Sequence, residues 1–244
     1  MNNSLKTVFL TLCFGFFSLM VVAQQKSAPQ QKSVVQKKPA PAKAIAAKPK
    51  PDTALKGNTK VKITTDLGVM VVRLYDATPL HRDNFIKLVK EGFYDSLLFH
   101  RIIQGFMIQG GDPLSKNAPA GSRLGMGGGD MQRIPAEFNR SIIHKKGALA
   151  AARDGNPEKA SSACQFYIVQ GNTFPKDQLK MMGYSPAQIE AYSTLGGTPQ
   201  LDMEYTVFGE LVSGFDVLDK IANVDKNEFD RPNTDVHMKM ELVK

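Results

Sequence analysis

Short runs of alternating apolar and polar residues dominate the chain from residue 59 onwards, and turn residues separate them. Such alternation predicts β-strands with one buried face. Residues 61–64 and 69–75 alternate in this way around the turn 65–68, so they predict a β-hairpin. About eight strands are predicted in all, two of them within residues 99–111. The remaining four cover residues 147–152, 165–170, 205–211 and 237–243.

Four other segments have helical patterns. Thr78 and Pro79 fit the N-cap and the first helical position of a helix that ends before Gly92. Shorter helices are predicted over residues 176–182, 186–192 and 215–221. About eight strands with two main helices predict a mainly β fold, organised as a closed antiparallel barrel.

The first 23 residues have the pattern of a secretory signal peptide. Lys6 precedes a short apolar run, residues 8–22, and the small residue Ala23 follows it. The alternative is a membrane anchor, but the run is shorter than the ~20 residues that a spanning helix needs. We therefore expect an exported protein, cleaved after Ala23 and located in the periplasm.

The composition changes over residues 24–58, which are rich in Gln, Lys, Ala and Pro and contain no aromatic residue. Such a segment cannot bury enough apolar surface to offset its chain entropy, so it predicts a disordered linker. The domain organisation is thus a signal peptide over 1–23, a linker over 24–58 and a globular domain over 59–244.

The net charge of the protein comes entirely from residues outside the predicted globular domain. The first 56 residues hold nine Lys and one Asp, which account for the whole formal net charge of +8. The rest of the chain holds 22 basic and 22 acidic residues, so it offers no excess charge for a nucleic acid. We expect no nucleic-acid partner, at most weak contact of the basic linker with an anionic surface, and a monomer.

The histidines and cysteines indicate no metal chemistry. His81, His100, His144 and His237 lack the spacing of a metal-binding motif, and the carboxylates form no calcium-loop pattern. We expect no metal and no cofactor. Once the leader is removed, Cys164 is the only cysteine, so no internal disulfide is expected.

Residues 99–112 contain the most informative polar pattern, a cation within an apolar run. Because arginine is almost never fully buried unless it is paired, Arg101 either reaches solvent or faces a lined cleft. Counting by twos places Gln109 on the face of Met107. Arg101 lies on this face as well by the same count, so it shares one groove with Gln109, unless a bend near Gly105 puts the two side chains on opposite faces.

Three segments resemble the cyclophilins, a family of peptidyl-prolyl cis-trans isomerases. Residues 99–112 read FHRIIQGFMIQGGD and closely resemble the signature strand pair of that family. Residues 162–168 (SACQFYI) and 205–209 (YTVFG) are similar to two further family segments, in the same order. The resemblance covers roughly residues 60–243. It implies an eight-stranded barrel capped by a helix at each end, acting on proline-containing polypeptides.

The resemblance also assigns site residues. Arg101 matches the catalytic arginine of the family, and Gln109 matches the glutamine that anchors the substrate and orients the arginine. The matches along the peptide groove are Phe106, Met107, Leu201 and Tyr167 in the proline pocket, Ala152, Arg153 and Gln165 on the adjoining edge, and Tyr205 on the rim.

The chain departs from the family pattern at several positions. It has no Trp, and Gln200 falls near the rim tryptophan of cyclosporin-sensitive members, so we expect weak cyclosporin binding. Arg153 replaces a common Asn, at a position where the backbone is expected to matter more than the side chain. The loops 154–163 and 175–199 look longer than usual and flank the groove, which is expected to narrow the choice of substrate.

Two functions are compatible with this pattern. The first is a prolyl isomerase that assists the folding of exported proteins. The second is a proline-peptide-binding or chaperone module on the same fold, with little catalysis. The presence of both Arg101 and Gln109 favours the enzyme, because a pure binding module has no need for both.

Overall fold

The alternating segments form the strands of a closed barrel in the computed structural model, which describes residues 57–243. In β1, Val61 and Ile63 are fully buried whereas Lys60 and Thr64 are exposed, so one face of the strand lines the core. The strands are β1 (Lys60–Thr65), β2 (Gly68–Leu74), β3 (Leu97–Ile103), β4 (Met107–Gly110), β5 (Ala148–Ala151), β6 (Phe166–Val169), β7 (Val207–Ser213) and β8 (His237–Val243).

The barrel is antiparallel throughout, with the strand order β1-β2-β7-β5-β6-β4-β3-β8. The prediction of a mainly β, closed eight-stranded barrel is therefore confirmed. The predicted hairpin is the pair β1–β2. The predicted signal peptide and nearly all of the predicted linker lie outside the described residues.

Two main helices pack on the barrel at opposite ends of β2. Helix α1 follows the end of that strand, and α4 lies at its beginning, where Val217 packs against Gly68. Phe85 of α1 and Leu218 of α4 belong to one hydrophobic core with the strands. The α-helices are α1 (Pro79–Lys90), α2 (Lys176–Met181), α3 (Pro186–Thr194) and α4 (Phe215–Ala222). None of the helices within residues 57–243 has the length and apolar character needed to span a membrane.

The start of α1 differs from the prediction in its capping side chain. Thr78 does precede the first helical residue, Pro79, but its side chain makes no capping hydrogen bond. The Glu137 carboxylate takes this role and accepts hydrogen bonds from the N–H groups of Leu80 (3.1 Å) and His81 (3.0 Å). A carboxylate also complements the positive end of the helix dipole. The capping group therefore comes from a distant loop, where a local sequence rule cannot find it.

The same carboxylate joins a chain of three polar side chains. His81 Nδ1 lies 2.7 Å from Glu137 Oε2, and His81 Nε2 lies 3.0 Å from Ser161 Oγ. A hydroxyl, an imidazole and a carboxylate in this order resemble a catalytic triad. However, Ser161 is only 1% exposed and Glu137 is engaged by α1, so a substrate has no access to the hydroxyl. The three side chains fasten α1 to the loops that carry Glu137 and Ser161.

The segment 175–199, predicted to be a long insertion beside the groove with two short helices, folds into α2, α3 and a short 3₁₀ turn beginning at Pro199, so both predicted helices are confirmed. It has a small hydrophobic core of its own, formed by Leu179, Ile189 and Tyr192. A capping box between Ser185 and Gln188 begins α3. The segment is thus an ordered two-helix insert.

Candidate active site

The hairpin β3–β4 brings the two predicted catalytic side chains together. Its register pairs Arg101 directly with Gln109, so both side chains leave the same face. The sequence left open whether a bend at Gly105 would put the two side chains on opposite faces. The turn there, with φ at +71°, keeps them on the same face. Arg101 Nη1 lies 3.4 Å from Gln109 Oε1, a long contact, and the Arg101 side chain is 43% exposed. Arg101 therefore faces an open cleft.

A cavity of about 250 Å³ with both apolar and polar lining residues lies beside this pair. Its walls come from the turn between β3 and β4, from β6, and from the segment that precedes β7. The lining residues are Arg101, Phe106, Met107, Gln109, Leu124, Gly125, Ala152, Arg153, Tyr167, Leu201 and Tyr205. All the predicted site residues except Gln165 line this one cavity.

A second cavity, of about 230 Å³, adjoins the first and shares Gln109, Gly125, Ala152 and Arg153 with it. Its other lining residues are Met126, Gly127, Gly128, Gly129, Met131, Arg133, Asp154, Ser162 and Gln165. The two cavities form one groove with Gln109 at their junction.

Gln165 fixes the orientation of the Gln109 amide. Gln109 Nε2 donates to Gln165 Oε1 at 3.0 Å, and Gln165 Nε2 in turn donates to the carbonyls of Gly125 (3.0 Å) and Gly127 (2.9 Å). Since the Gln109 amide nitrogen is engaged in this way, its oxygen faces Arg101. The predicted edge residue Gln165 thus acts on the arginine side chain through Gln109.

The glycine-rich loop after β4 supplies lining residues that were not predicted. Asp112 is fully buried, and its carboxylate accepts hydrogen bonds from the N–H groups of Leu114 (2.8 Å) and Gly125 (2.5 Å). A Cβ at Gly127 would overlap that carboxylate, and one at Gly128 would overlap the sulfur of Cys164. The glycines let the backbone pack this closely, and their density was the signal in the sequence that could have marked the loop.

Arg153 differs from the expectation that its backbone matters more than its side chain. Its guanidinium carbon lies 4.6 Å from the ring centroid of Tyr205, and Nε donates to the carbonyl of Glu204 at 3.1 Å. The side chain lines both cavities. It therefore shapes the groove and supports the rim residue Tyr205 by a cation–π contact.

The two loops that were expected to flank the groove behave differently from each other. Asp154 and Ser162, at the two ends of the first loop, line the second cavity. Arg133 forms a bidentate ion pair with Asp154 there. By contrast, no residue of 175–199 lines either cavity within the described chain. Gln200, at the predicted rim position, is exposed.

Across residues 57–243, no three His, Cys, Asp or Glu side chains cluster as potential metal ligands.

His100, next to Arg101, is buried and uncharged at neutral pH. Burial lowers its pKa to about 4, and the positive charges of Arg101 and Arg231 act in the same direction. The carboxylate of Asp112 opposes this shift but does not overcome it. His100 therefore adds no positive charge next to Arg101 at neutral pH.

The lowered pKa of His100 predicts a loss of stability in acid. Between pH 6.5 and about 4, His100 binds a proton in the unfolded chain but not in the folded one, so acid favours unfolding. The variant His100→Phe should reduce the slope of unfolding free energy against pH in this window by up to ~1.4 kcal/mol per pH unit. Denaturant titrations from pH 7 to pH 4.5 measure both slopes. His81, whose pKa is also lowered by burial, is present in both proteins and cancels in the difference. Equal slopes would contradict the prediction.

A closed barrel that carries an arginine–glutamine pair over an apolar cavity is the architecture expected of a prolyl isomerase. Residues 60–241 match the family model "Cyclophilin type peptidyl-prolyl cis-trans isomerase/CLD". The chain belongs to the cyclophilin family, whose members catalyse rotation about the peptide bond that precedes proline.

Similar proteins support this assignment. A protein of Staphylococcus saprophyticus assigned as a peptidyl-prolyl cis-trans isomerase is 36% identical over 195 residues, which cover 77% of this chain and 93% of that protein. A Streptococcus pyogenes protein assigned as a bifunctional phosphatase and peptidyl-prolyl isomerase is 41% identical over 184 residues. That match covers 72% of this chain but only 37% of the streptococcal protein.

Solved structures show the same fold. A crystal structure of a cyclophilin-type isomerase from Cryptosporidium parvum has a TM-score of 0.57 and 25% sequence identity, covering 76% of this chain and 98% of that one. A second structure of the same protein, obtained in the presence of the dipeptide Ala-Pro, has a TM-score of 0.56 and the same identity.

Proposed function

We propose that this chain is an exported prolyl isomerase that acts on proline-containing segments of other exported proteins, with Arg101 as its catalytic residue. The observation that carries the proposal is the position of Arg101 beside Gln109, over the apolar cavity formed by Phe106, Met107 and Tyr167. The Ala-Pro dipeptide used with the Cryptosporidium protein supports a proline-containing ligand for this cavity.

Rotation of a peptide bond breaks no covalent bond, so the reaction needs neither a nucleophile nor a metal ion. The barrier of ~18–20 kcal/mol arises from the partial double bond of the amide. A catalyst must therefore bind the twisted amide better than either planar isomer. When the amide twists, the prolyl nitrogen regains its lone pair and becomes a hydrogen-bond acceptor. In the proposed mechanism the Arg101 guanidinium donates to this nitrogen.

The cavity walls make a separate contribution. The planar amide is charge-separated, and an apolar environment disfavours it relative to the twisted form. Phe106, Met107 and Leu201 provide such an environment around the proline ring, while the preceding carbonyl turns in the open part of the groove. Gln109 keeps its oxygen towards Arg101 because Gln165 holds its nitrogen.

The exported location rests on the leader sequence. The apolar run 8–22 and Ala23 support cleavage by a signal peptidase, and the basic segment 24–58 would remain as the N-terminus of the mature protein. We propose the periplasm as the compartment, a monomeric enzyme, and at most weak contact of the basic segment with an anionic surface. Assistance to the folding of exported proteins follows from this location, since slow X-Pro isomerisation limits folding.

The test has two parts. The full-length chain is expressed in a Gram-negative host, and the N-terminus of the periplasmic product is sequenced, with Gln24 expected as the first residue. That product is then assayed for cis-to-trans isomerisation of an X-Pro peptide. Acceleration is expected. Peptide binding without acceleration would instead indicate a binding or chaperone module, and retention of the protein in the cytoplasm would contradict export.

A further inference from the structure

Four hydrogen bonds converge on the carboxylate of Asp202. One oxygen, Oδ1, lies 2.8 Å from the backbone nitrogen of His144 and 2.8 Å from its Nδ1. The other, Oδ2, accepts from the hydroxyls of Tyr184 (2.8 Å) and Tyr192 (2.6 Å). The Asp202 side chain is 11% exposed and that of His144 is 1% exposed. The two tyrosines belong to the two-helix insert 175–199.

The far side of His144 reaches the proposed proline cavity. His144 Nε2 lies 3.0 Å from the hydroxyl of Tyr167, and the two rings stack with an interplanar angle of 13°. Because a carboxylate can only accept, Nδ1 of His144 donates to Asp202, and in the neutral ring Nε2 accepts the hydroxyl proton of Tyr167. The insert and the cavity wall are thus joined through Asp202 and His144.

We propose that Asp202 is a positioning residue for prolyl isomerisation, which fixes Tyr167 and Leu201 as two walls of the cavity and couples them to the two-helix insert. The inference rests on the proposed function, because it assigns Asp202 a role in the same cavity. Asp202 itself lines neither cavity, so it acts only through its neighbours.

The Tyr167 wall depends on where its hydroxyl is held. The hydrogen bond to His144 keeps this polar group directed away from the apolar cavity, so that the ring serves as a wall. Without the Asp202 carboxylate, His144 loses the acceptor for both its N–H groups, and its ring is no longer fixed in the orientation that receives the hydroxyl. A buried polar group without a partner costs free energy, so the local structure would rearrange.

The Leu201 wall depends on Asp202 through the backbone. Leu201 precedes Asp202, and the carbonyl of Leu201 accepts a hydrogen bond from the N–H of Tyr205 at 3.2 Å. Anchoring of the Asp202 side chain therefore fixes a short segment that carries one cavity wall and the rim residue. This accounts for an insert that lines neither cavity yet is linked to the cavity wall by hydrogen bonds.

The test compares Asp202→Ala with the conservative variant Asp202→Asn. The asparagine keeps one oxygen for the His144 donors, and its amide can donate to the tyrosine hydroxyls, which are also acceptors. We expect Asp202→Ala to raise the KM for an X-Pro peptide about tenfold, with kcat changed less than threefold, because the loosened walls hold the proline ring less well while Arg101 and the apolar side chains themselves remain present. Asp202→Asn should restore KM to within about threefold of the wild type.

Glu137→Ala is the matched control. Glu137 also holds the N–H and Nδ1 of a buried histidine, His81, and is 13% exposed, but that histidine leads to Ser161 and not to the proline cavity. Glu137→Ala should lower the melting temperature, as Asp202→Ala does, but it should leave KM within about twofold of the wild-type value. If Asp202→Ala leaves KM unchanged, or if Glu137→Ala raises KM equally, the proposal is wrong.

Two further measurements keep the inference testable. If Asp202→Ala does not fold, the double variant Tyr184→Phe, Tyr192→Phe cuts the link to the insert and keeps the carboxylate; KM should rise at least threefold, and an unchanged KM would refute the coupling. If the wild type does not catalyse isomerisation, the affinity of the same peptide, measured by calorimetric titration, replaces KM. Failure of catalysis is thereby distinguished from failure of the positioning role.

Discussion

Replacing Arg101 by alanine should lower kcat/KM for isomerisation of an X-Pro peptide by about 10- to 150-fold, because a charged hydrogen bond contributes roughly 1.5–3 kcal/mol. The loss should fall mainly on kcat, since the prolyl nitrogen accepts a hydrogen bond only when the amide is twisted. Stability should change little, because the side chain is 43% exposed and its bond to Gln109 is long. A protease-coupled assay or exchange NMR on one peptide, with thermal unfolding of both proteins, measures these quantities.

Two variants sharpen the result. Arg101→Lys retains the charge but loses the planar group with its several donors, so we expect a kcat between those of the wild type and the alanine variant. Arg82→Ala removes an arginine of α1 that pairs with Asp76 and Asp83 and lines neither cavity, and it should leave kcat/KM within about twofold. If Arg101→Ala keeps more than half of the wild-type kcat/KM, Arg101 is not the catalytic residue.

The strands were predictable because their signal is local. Alternation of buried and exposed residues is visible within a few positions, as in β1, and the turn residues 65–68 mark the hairpin. The pairing of Arg101 with Gln109 was predictable only conditionally, since it depended on the number of residues in the turn. The turn keeps the parity, and the two side chains lie opposite each other.

The residues that were missed depend on contacts between distant parts of the chain. Glu137 caps α1 from more than 50 positions away, and Asp202 binds His144 across 58 positions. Neither residue carries a motif, and an acidic residue in a loop is most often solvated. Arg153 was underestimated for a similar reason, because its role depends on Tyr205, which reaches it only through the fold.

Two phenylalanines of similar local sequence should respond to the same substitution in opposite ways. In the sequence, Phe106 and Phe166 both lie beside apolar residues, and this pattern alone does not distinguish a core residue from a pocket residue; only the family resemblance placed Phe106 in the pocket. Phe166 is 1% exposed and packs edge-on against Phe85, Tyr94 and Phe99 inside the barrel. Phe106, by contrast, is partly exposed and lines the proline cavity.

Phe166→Ala should therefore lower the free energy of unfolding by about 3–5 kcal/mol, and the melting temperature by roughly 6–20 °C for a domain of this size. Well below its melting temperature, the variant should keep kcat/KM within about threefold, since Phe166 lines neither cavity. Phe106→Ala should change the melting temperature by less than about 4 °C but lower kcat/KM at least about tenfold, through loss of a cavity wall.

The pair separates the two contributions of the same residue type. Thermal unfolding gives the melting temperatures of the two variants. The peptide assay, run at one temperature where both variants are folded, gives their kcat/KM values. Where β6 begins, Phe166 belongs to the core while its two neighbours, Gln165 and Tyr167, line the groove. Should Phe166→Ala reduce kcat/KM as strongly as Phe106→Ala, the core and the groove would be mechanically coupled through this strand, and the separation of faces inferred from the structure would be wrong.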